Sequence, residues 1–81
     1  MPKAVFLASQ RRFTAGAGEL QLQAADFRAA VSEIRSRYPD FPEQELLNCS
    51  VAIDGELVTQ PWLERLGANS ELVFVARIGA G

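Results

Sequence analysis

The sequence predicts an α+β fold, a mixed five-stranded sheet carrying one main helix on one face. Two observations point to the sheet's centre. Residues 3–9 (Lys3-Ala4-Val5-Phe6-Leu7-Ala8-Ser9) and residues 71–78 (Glu71-Leu72-Val73-Phe74-Val75-Ala76-Arg77-Ile78) are apolar on both faces of an extended chain, as expected of strands inside a sheet rather than at its rim. The third observation is that the chain between them holds a single long amphipathic stripe, residues 27–38. One helix covers one face of such a sheet and leaves the other open.

In chain order, residues 3–9 are the first strand. Residues 10–18 follow, with Gly16 and Gly18 among small residues, and read as a loop from which Phe13 folds back onto the core. Residues 19–23 alternate strictly, with Leu20 and Leu22 inward, and form a hairpin with the first strand. Asp26 is placed to cap a helix, its short carboxylate accepting an orphan backbone N–H. Phe27, Ala30, Val31, Ile34 and Tyr38 then recur at spacings of three and four. Arg28, Glu33, Arg35 and Arg37 lie off that stripe; Arg35 and Arg37 suit the negative end of the helix dipole, and Pro39 stops the helix.

Residues 42–47 are expected to make a short helical turn with Leu46 and Leu47 tucked in. Residues 48–53 read as the third strand. Asp54-Gly55 is a strong tight-turn signal, and residues 56–58 return as the fourth strand. Residues 59–70 connect to the last strand, with Trp62, Leu63 and Leu66 expected to pin the connection to the core. An order β-β-α-β-β-β with apolar first and last strands suits a sheet in which those two lie side by side in parallel. That is a β-grasp roll of the ubiquitin kind. Residues 1–78 form its domain, and Gly79-Ala80-Gly81 a flexible C-terminal tail with almost no side chain.

Composition narrows the chemistry. The 81 residues are enough for one domain, and 48% hydrophobic with 22% charged is an ordinary globular balance. Histidine is absent and Cys49 is the sole cysteine, so the usual zinc ligand sets and any imidazole-based triad are excluded, and no metal site is expected. One cysteine forms no internal disulfide, which suits a reducing compartment. Cys49 reads as a small buried hydrophobe. The formal charge is −2, with six basic and four acidic groups in residues 1–41 against two and six in residues 42–81. An acidic C-terminal half argues against nucleic acid as the partner. The apolar stretch at residues 4–8 is too short for a signal peptide or a membrane span, so no membrane association and a cytoplasmic location are expected.

The order of several short motifs resembles the small ubiquitin-like sulfur carriers of the MoaD/ThiS type, nearest to the small subunit of molybdopterin synthase. The resemblance rests on Val5-Phe6-Leu7-Ala8 with Arg11-Arg12-Phe13 and a glycine after it, and on the Val51-Ala52-Ile53-Asp54-Gly55-Glu56-Leu57-Val58 hairpin. Leu66-Gly67-Ala68-Asn69-Ser70-Glu71-Leu72-Val73-Phe74 leading into the last strand and a terminal glycine complete it. It implies a carrier without catalytic groups of its own. On that resemblance, an E1-like adenylating enzyme is expected to use ATP to activate the Gly81 carboxylate and to exchange an oxygen for sulfur. The thiocarboxylate tail, with Gly79 and Ala80 as its narrow thread, then enters the large subunit of a synthase in molybdenum cofactor biosynthesis and donates its sulfur. No cofactor is bound by the carrier itself.

The family usually ends in Gly-Gly, and this chain ends Ala80-Gly81; the extra methyl restricts φ and widens the thread. Two other function classes fit the same residues. One is a ubiquitin-like modifier joined through Gly81 to target lysines. The other is a β-grasp interaction module whose tail is inactive because of Ala80. The open sheet face near the tail, with Phe6, Val73, Val75 and Arg77 as contact residues, is the expected docking surface for the activating and accepting enzymes.

Overall fold

A computed structural model describes residues 1–48, 50–59 and 61–75. The strands are β1 (Lys3–Val5), β2 (Glu19–Gln21), β3 (Ser50–Ile53), β4 (Glu56–Val58) and β5 (Glu71–Val75); the helices are α1 (Phe27–Arg37) and α2 (Glu43–Asn48). The sheet runs β2-β1-β5-β3-β4. β1 and β5 are parallel neighbours at its centre, in register Lys3↔Glu71, Ala4↔Leu72 and Val5↔Val73. The other pairings are antiparallel. This is the expected ubiquitin-like β-grasp, with the first and last strands side by side.

The register decides which side chains meet the helix. Ala4, Phe6, Leu72, Phe74 and Val51 are fully buried, together with Phe27, Ala30 and Ile34 of α1. Aromatic rings tie the two layers. Phe27 meets Phe74 at 5.9 Å between ring centres, and Phe6 meets Tyr38 edge-on at 6.1 Å and Phe41 at 5.9 Å. Phe13 reaches back to Phe41 at 5.0 Å, as expected. Such offset and edge contacts add to area burial.

Local signals formed where expected. Asp26 caps α1, its Oδ1 accepting from the Ala29 N–H at 2.8 Å. Asp54 (φ 53°) and Gly55 (φ 83°) both adopt positive φ, the conformation of a two-residue turn matched to strand twist. α2 buries Leu46 but leaves Leu47 two-fifths exposed, so one of its two leucines is tucked in.

Three expectations are corrected. The first strand does not run to residue 9; it ends at Val5, and Ala8–Phe13 winds into a short 3-10 helix where a loop was expected. Gln10 causes the break, its N–H bonding the Leu7 carbonyl (2.8 Å) while its side-chain Oε1 accepts from the Leu7 N–H (2.9 Å). The second strand and the third are shorter than expected, although Leu22 beyond β2 is fully buried and donates to the Pro2 carbonyl at 2.7 Å. The third correction concerns the 59–70 connection. Trp62 is 40% exposed and Leu63 is 82% exposed, with Leu66 alone partly buried. Backbone bonds hold this segment instead, from Phe27 N–H to the Glu64 carbonyl and from Leu66 N–H to the Ala25 carbonyl, each 2.9 Å. Cys49 and residues 76–78 lie outside the described residues.

Because Phe6 sits in the layer between sheet and helix while Val5 faces away, truncating each should separate the faces. Phe6→Ala is expected to cost about 3–5 kcal/mol of unfolding free energy. Val5→Ala, at a half-buried position, should cost well under half of that, both measured by urea denaturation.

Candidate functional site: the open sheet face

With α1 on one side, the other side of the sheet has no layer over it among the described residues. Strand alternation puts the neighbours of the buried residues there. Register then lines up Val5 of β1, Val73 of β5, Ala52 of β3 and Leu57 of β4 in one row across four strands. Val5, Val73 and Ala52 are half-buried, and Leu57 is 60% exposed. One step along β5, Val75 stands opposite Ser50. The row is therefore apolar and continues toward the end of the described strand.

Its other border is charged. Lys3, one step back, places Nζ 3.5 Å from Glu19 Oε2 and 3.6 Å from Glu71 Oε2, across β2, β1 and β5. These side chains are 35–58% exposed, where ion pairs contribute at most about 1 kcal/mol. Their effect is to mark the edge of the apolar row.

β5 is held at both ends by side chains from outside the sheet ladder. At its start, Asp54 of the β3–β4 turn accepts the Glu71 N–H on Oδ1 (2.9 Å) and the Ser70 hydroxyl on Oδ2 (3.1 Å), while the Asp54 N–H donates to the Glu71 carbonyl (3.0 Å). Toward its end, where β1 no longer runs alongside, buried Gln10 donates from Nε2 to the Phe74 carbonyl at 2.9 Å. The 3-10 helix thus stands beside the exit of β5, with Arg11 and Arg12 exposed on it. Arg11 Nε donates to the Phe6 carbonyl (3.2 Å), and Arg12 lies over the Phe13 ring at 4.6 Å.

Of the expected contact residues, Val73 and Val75 lie on the open face, side by side with Val5 and Ser50. Phe6 does not. It is 0% exposed and belongs to the core, because strand parity puts it with Ala4 on the helix side. Its place in the patch is taken by Val5. Arg77, Gly79, Ala80 and Gly81 lie outside the described residues. Leu57 was missed, although the two-residue Asp54-Gly55 turn pairs Ile53 with Glu56 and so Ala52 with Leu57, a register countable from the sequence. Asp54 was read as a turn residue alone, and nothing in the sequence marked Gln10 as a clamp.

Among the described residues no cluster of three or more metal-ligating side chains occurs, and no helix is long and apolar enough to cross a membrane. The face presents the apolar row of Val5, Val73, Ala52 and Leu57, bordered by the charges of Lys3, Glu19 and Glu71.

Removing the Gln10 amide would leave the Phe74 carbonyl short of a donor inside the structure. Gln10→Leu is expected to cost about 1–3 kcal/mol. It should also speed amide hydrogen exchange in β5 more than in β4, read by NMR.

No protein-family model matches the sequence, and no curated protein matches it. Solved structures do. A chain in the crystal structure of the BexX/CysO complex of Amycolatopsis orientalis superposes with a TM-score of 0.81 at 15% identity, covering 100% of both chains. SAMP1 from Haloferax volcanii superposes with a TM-score of 0.75 at 16% identity, covering 99% of this chain and 98% of that one. At these identities the likeness is one of fold, and it extends over the whole length of each chain.

Proposed function

We propose that this chain is a sulfur carrier of the MoaD/ThiS kind, with the Gly81 carboxylate as its reactive group and molybdopterin synthesis as the pathway served. The observation that carries the reading is the placement of β5. It is the central strand, clamped at both ends, and the sequence after it runs to Gly79-Ala80-Gly81. A glycine carboxylate has no side chain to obstruct attack at its carbonyl, and a short chain of Gly and Ala is narrow enough to enter a partner's cleft. The full-length match of fold to a chain solved within the BexX/CysO complex supports a protein that works by joining a partner.

The chemistry needs two enzymes. In the first, a Gly81 carboxylate oxygen attacks the α-phosphorus of ATP, forming an acyl adenylate and releasing pyrophosphate. Sulfide then attacks the acyl carbon, AMP leaves, and a thiocarboxylate results. In the second, the thiocarboxylate sulfur adds to an electrophilic carbon of the substrate held by the large subunit of a synthase, forming a thioester, and water cleaves its acyl C–S bond, leaving the sulfur on the substrate and restoring the Gly81 carboxylate. Neither step asks this chain for an acid, a base or a metal, in keeping with a sequence that lacks histidine. What the chain supplies is a docking face and a reach. The apolar row of Val5, Val73 and Leu57 continues to Val75, the last described residue of β5 and six positions before Gly81 in the sequence, which supports a partner seated on this face as the one that takes up the tail. Arg77 follows Val75 by two positions in the sequence.

The test is an intact mass after incubation with an E1-like adenylating enzyme, ATP and a sulfur donor. The expected gain equals the exchange of one oxygen for sulfur, and it is lost on deletion of Gly81. Conversion of an Ala80→Gly variant but not of the chain as it stands would show that the Ala80 methyl blocks the chemistry. Transfer to lysine side chains, with no thiocarboxylate, would replace the reading with that of a protein modifier.

A second expectation concerns the face. Val73→Lys puts a charge in the centre of the apolar row without entering the core. The variant should keep its fold by NMR and lower the rate of conversion at least tenfold at limiting carrier concentration. The same substitution at exposed Ala29 on α1 should leave the rate unchanged.

A further inference from the structure

The outer side of α1 carries a second feature that the sheet face does not use. Arg28, Ser32, Arg35 and Ser36 share one stripe of the helix. With Val31, Pro39, Glu43 and Trp62 they line a cleft of about 480 Å3. Trp62 touches Phe27 edge-on at 6.4 Å, which puts it by the start of α1, while Pro39 and Glu43 follow the helix end. At 1.5 Å per residue, Arg28 and Ser36 are about 12 Å apart along the axis, the span of roughly three to four residues of extended chain.

The charges around the cleft do not balance. Arg35 is oriented by its bond from Nε to the Phe41 carbonyl (3.2 Å) and by Glu43 Oε2, 3.6 Å from Nη1. Arg28 has no carboxylate partner among the described residues. The acidic residue of the helix, Glu33, does not offset them. Its carboxylate is engaged by the backbone N–H groups of Gln23 (2.8 and 3.0 Å) and Ala24 (3.0 Å). A chain with a net charge of −2 therefore carries a basic strip beside a 40% exposed tryptophan. Large aromatic and arginine side chains at a concave surface are the residue types that dominate binding energy at interfaces, and guanidinium groups recognise carboxylates in a forked, oriented way.

We propose that this cleft docks a short acidic peptide segment of a partner protein. Its carboxylates sit between Arg28 and Arg35, and one apolar side chain rests against Trp62. The site lies on the helix side of the molecule, so a protein held there leaves the open sheet face and the end of β5 free. It does not depend on the sulfur-carrier reading.

The chain's single tryptophan is in the cleft, so its emission reports directly on occupancy. The probe is the peptide acetyl-Glu-Phe-Glu-Glu-amide, titrated at low salt with fluorescence and amide shift mapping. A saturable change in Trp62 emission is expected, with shifts at Arg28, Ser32, Arg35 and Ser36. The Gln counterpart of the peptide should bind at least tenfold more weakly. Arg28→Glu, an exposed change whose folding the same spectra verify, should weaken the acidic peptide at least tenfold and relieve the preference over a Lys-bearing peptide. No response up to millimolar peptide, shifts centred on Val5 and Val73, or equal binding of the Gln peptide would each overturn the proposal. So would inorganic phosphate shifting the same residues at lower concentration than the peptide, which would make the cleft a phosphate site.

Discussion

The parallel pairing of β1 with β5 is the constraint on which the rest of the molecule depends. Two strands from opposite ends of the sequence lie side by side, in register from Lys3↔Glu71 to Val5↔Val73. Parallel neighbours cannot be joined by a tight turn, so the chain between them has to supply everything else. It supplies β2 and the β3–β4 hairpin to flank the pair, and α1 to cover it. The order β2-β1-β5-β3-β4 follows from that arrangement. Such long-range contacts are slow to form, and the devices that secure β5 come from distant parts of the chain, Gln10 on one side and Asp54 on the other.

Having one helix and two sheet faces makes the protein asymmetric. The aromatic residues Phe6, Phe27, Phe41 and Phe74 are spent on the covered side, where they are at most 2% exposed. The open side receives smaller groups, Val5, Ala52, Val73 and Val75, with Leu57 at its margin. A modest apolar strip of this kind is tolerable in water and still worth burying against a partner. The helix side differs in kind, being basic and grooved around Trp62. The two surfaces are therefore suited to different contacts, and they do not compete for the same residues.

Much of the architecture was legible because patterns of period two and period 3.6 were long enough to separate. The α1 stripe, the Asp26 cap and the Asp54-Gly55 turn each state a local geometry, and each formed. Val5-Phe6-Leu7-Ala8 did not, because four apolar residues in succession carry no period. Whether the strand continues past Val5 is settled by Gln10, whose side chain caps the Leu7 N–H and fastens to Phe74, a partner 64 residues away. The same lack of period assigned Phe6 to the docking face. Trp62 and Leu63 misled for a different reason. Hydrophobicity predicts burial only on average, and the connection was already anchored by backbone bonds of Glu64 with Phe27 and of Leu66 with Ala25. For the candidate site, strand parity grouped Val73 with Val75 but left open whether that set or the set of Phe74 faces outward, and Leu57 required counting the register through the hairpin.

The placement of β5 also has a mechanical consequence. It has a hydrogen-bonded neighbour on each side, β1 and β3, and a cross-link near each end. A pull along its axis from the C-terminal end would load both ladders in shear, all bonds sharing the force, instead of peeling them one at a time. A strand at the rim of the sheet, such as β4, has a single ladder to carry the same load. The strand that leads to the chain's last residues is thus the one best built to act as a tether.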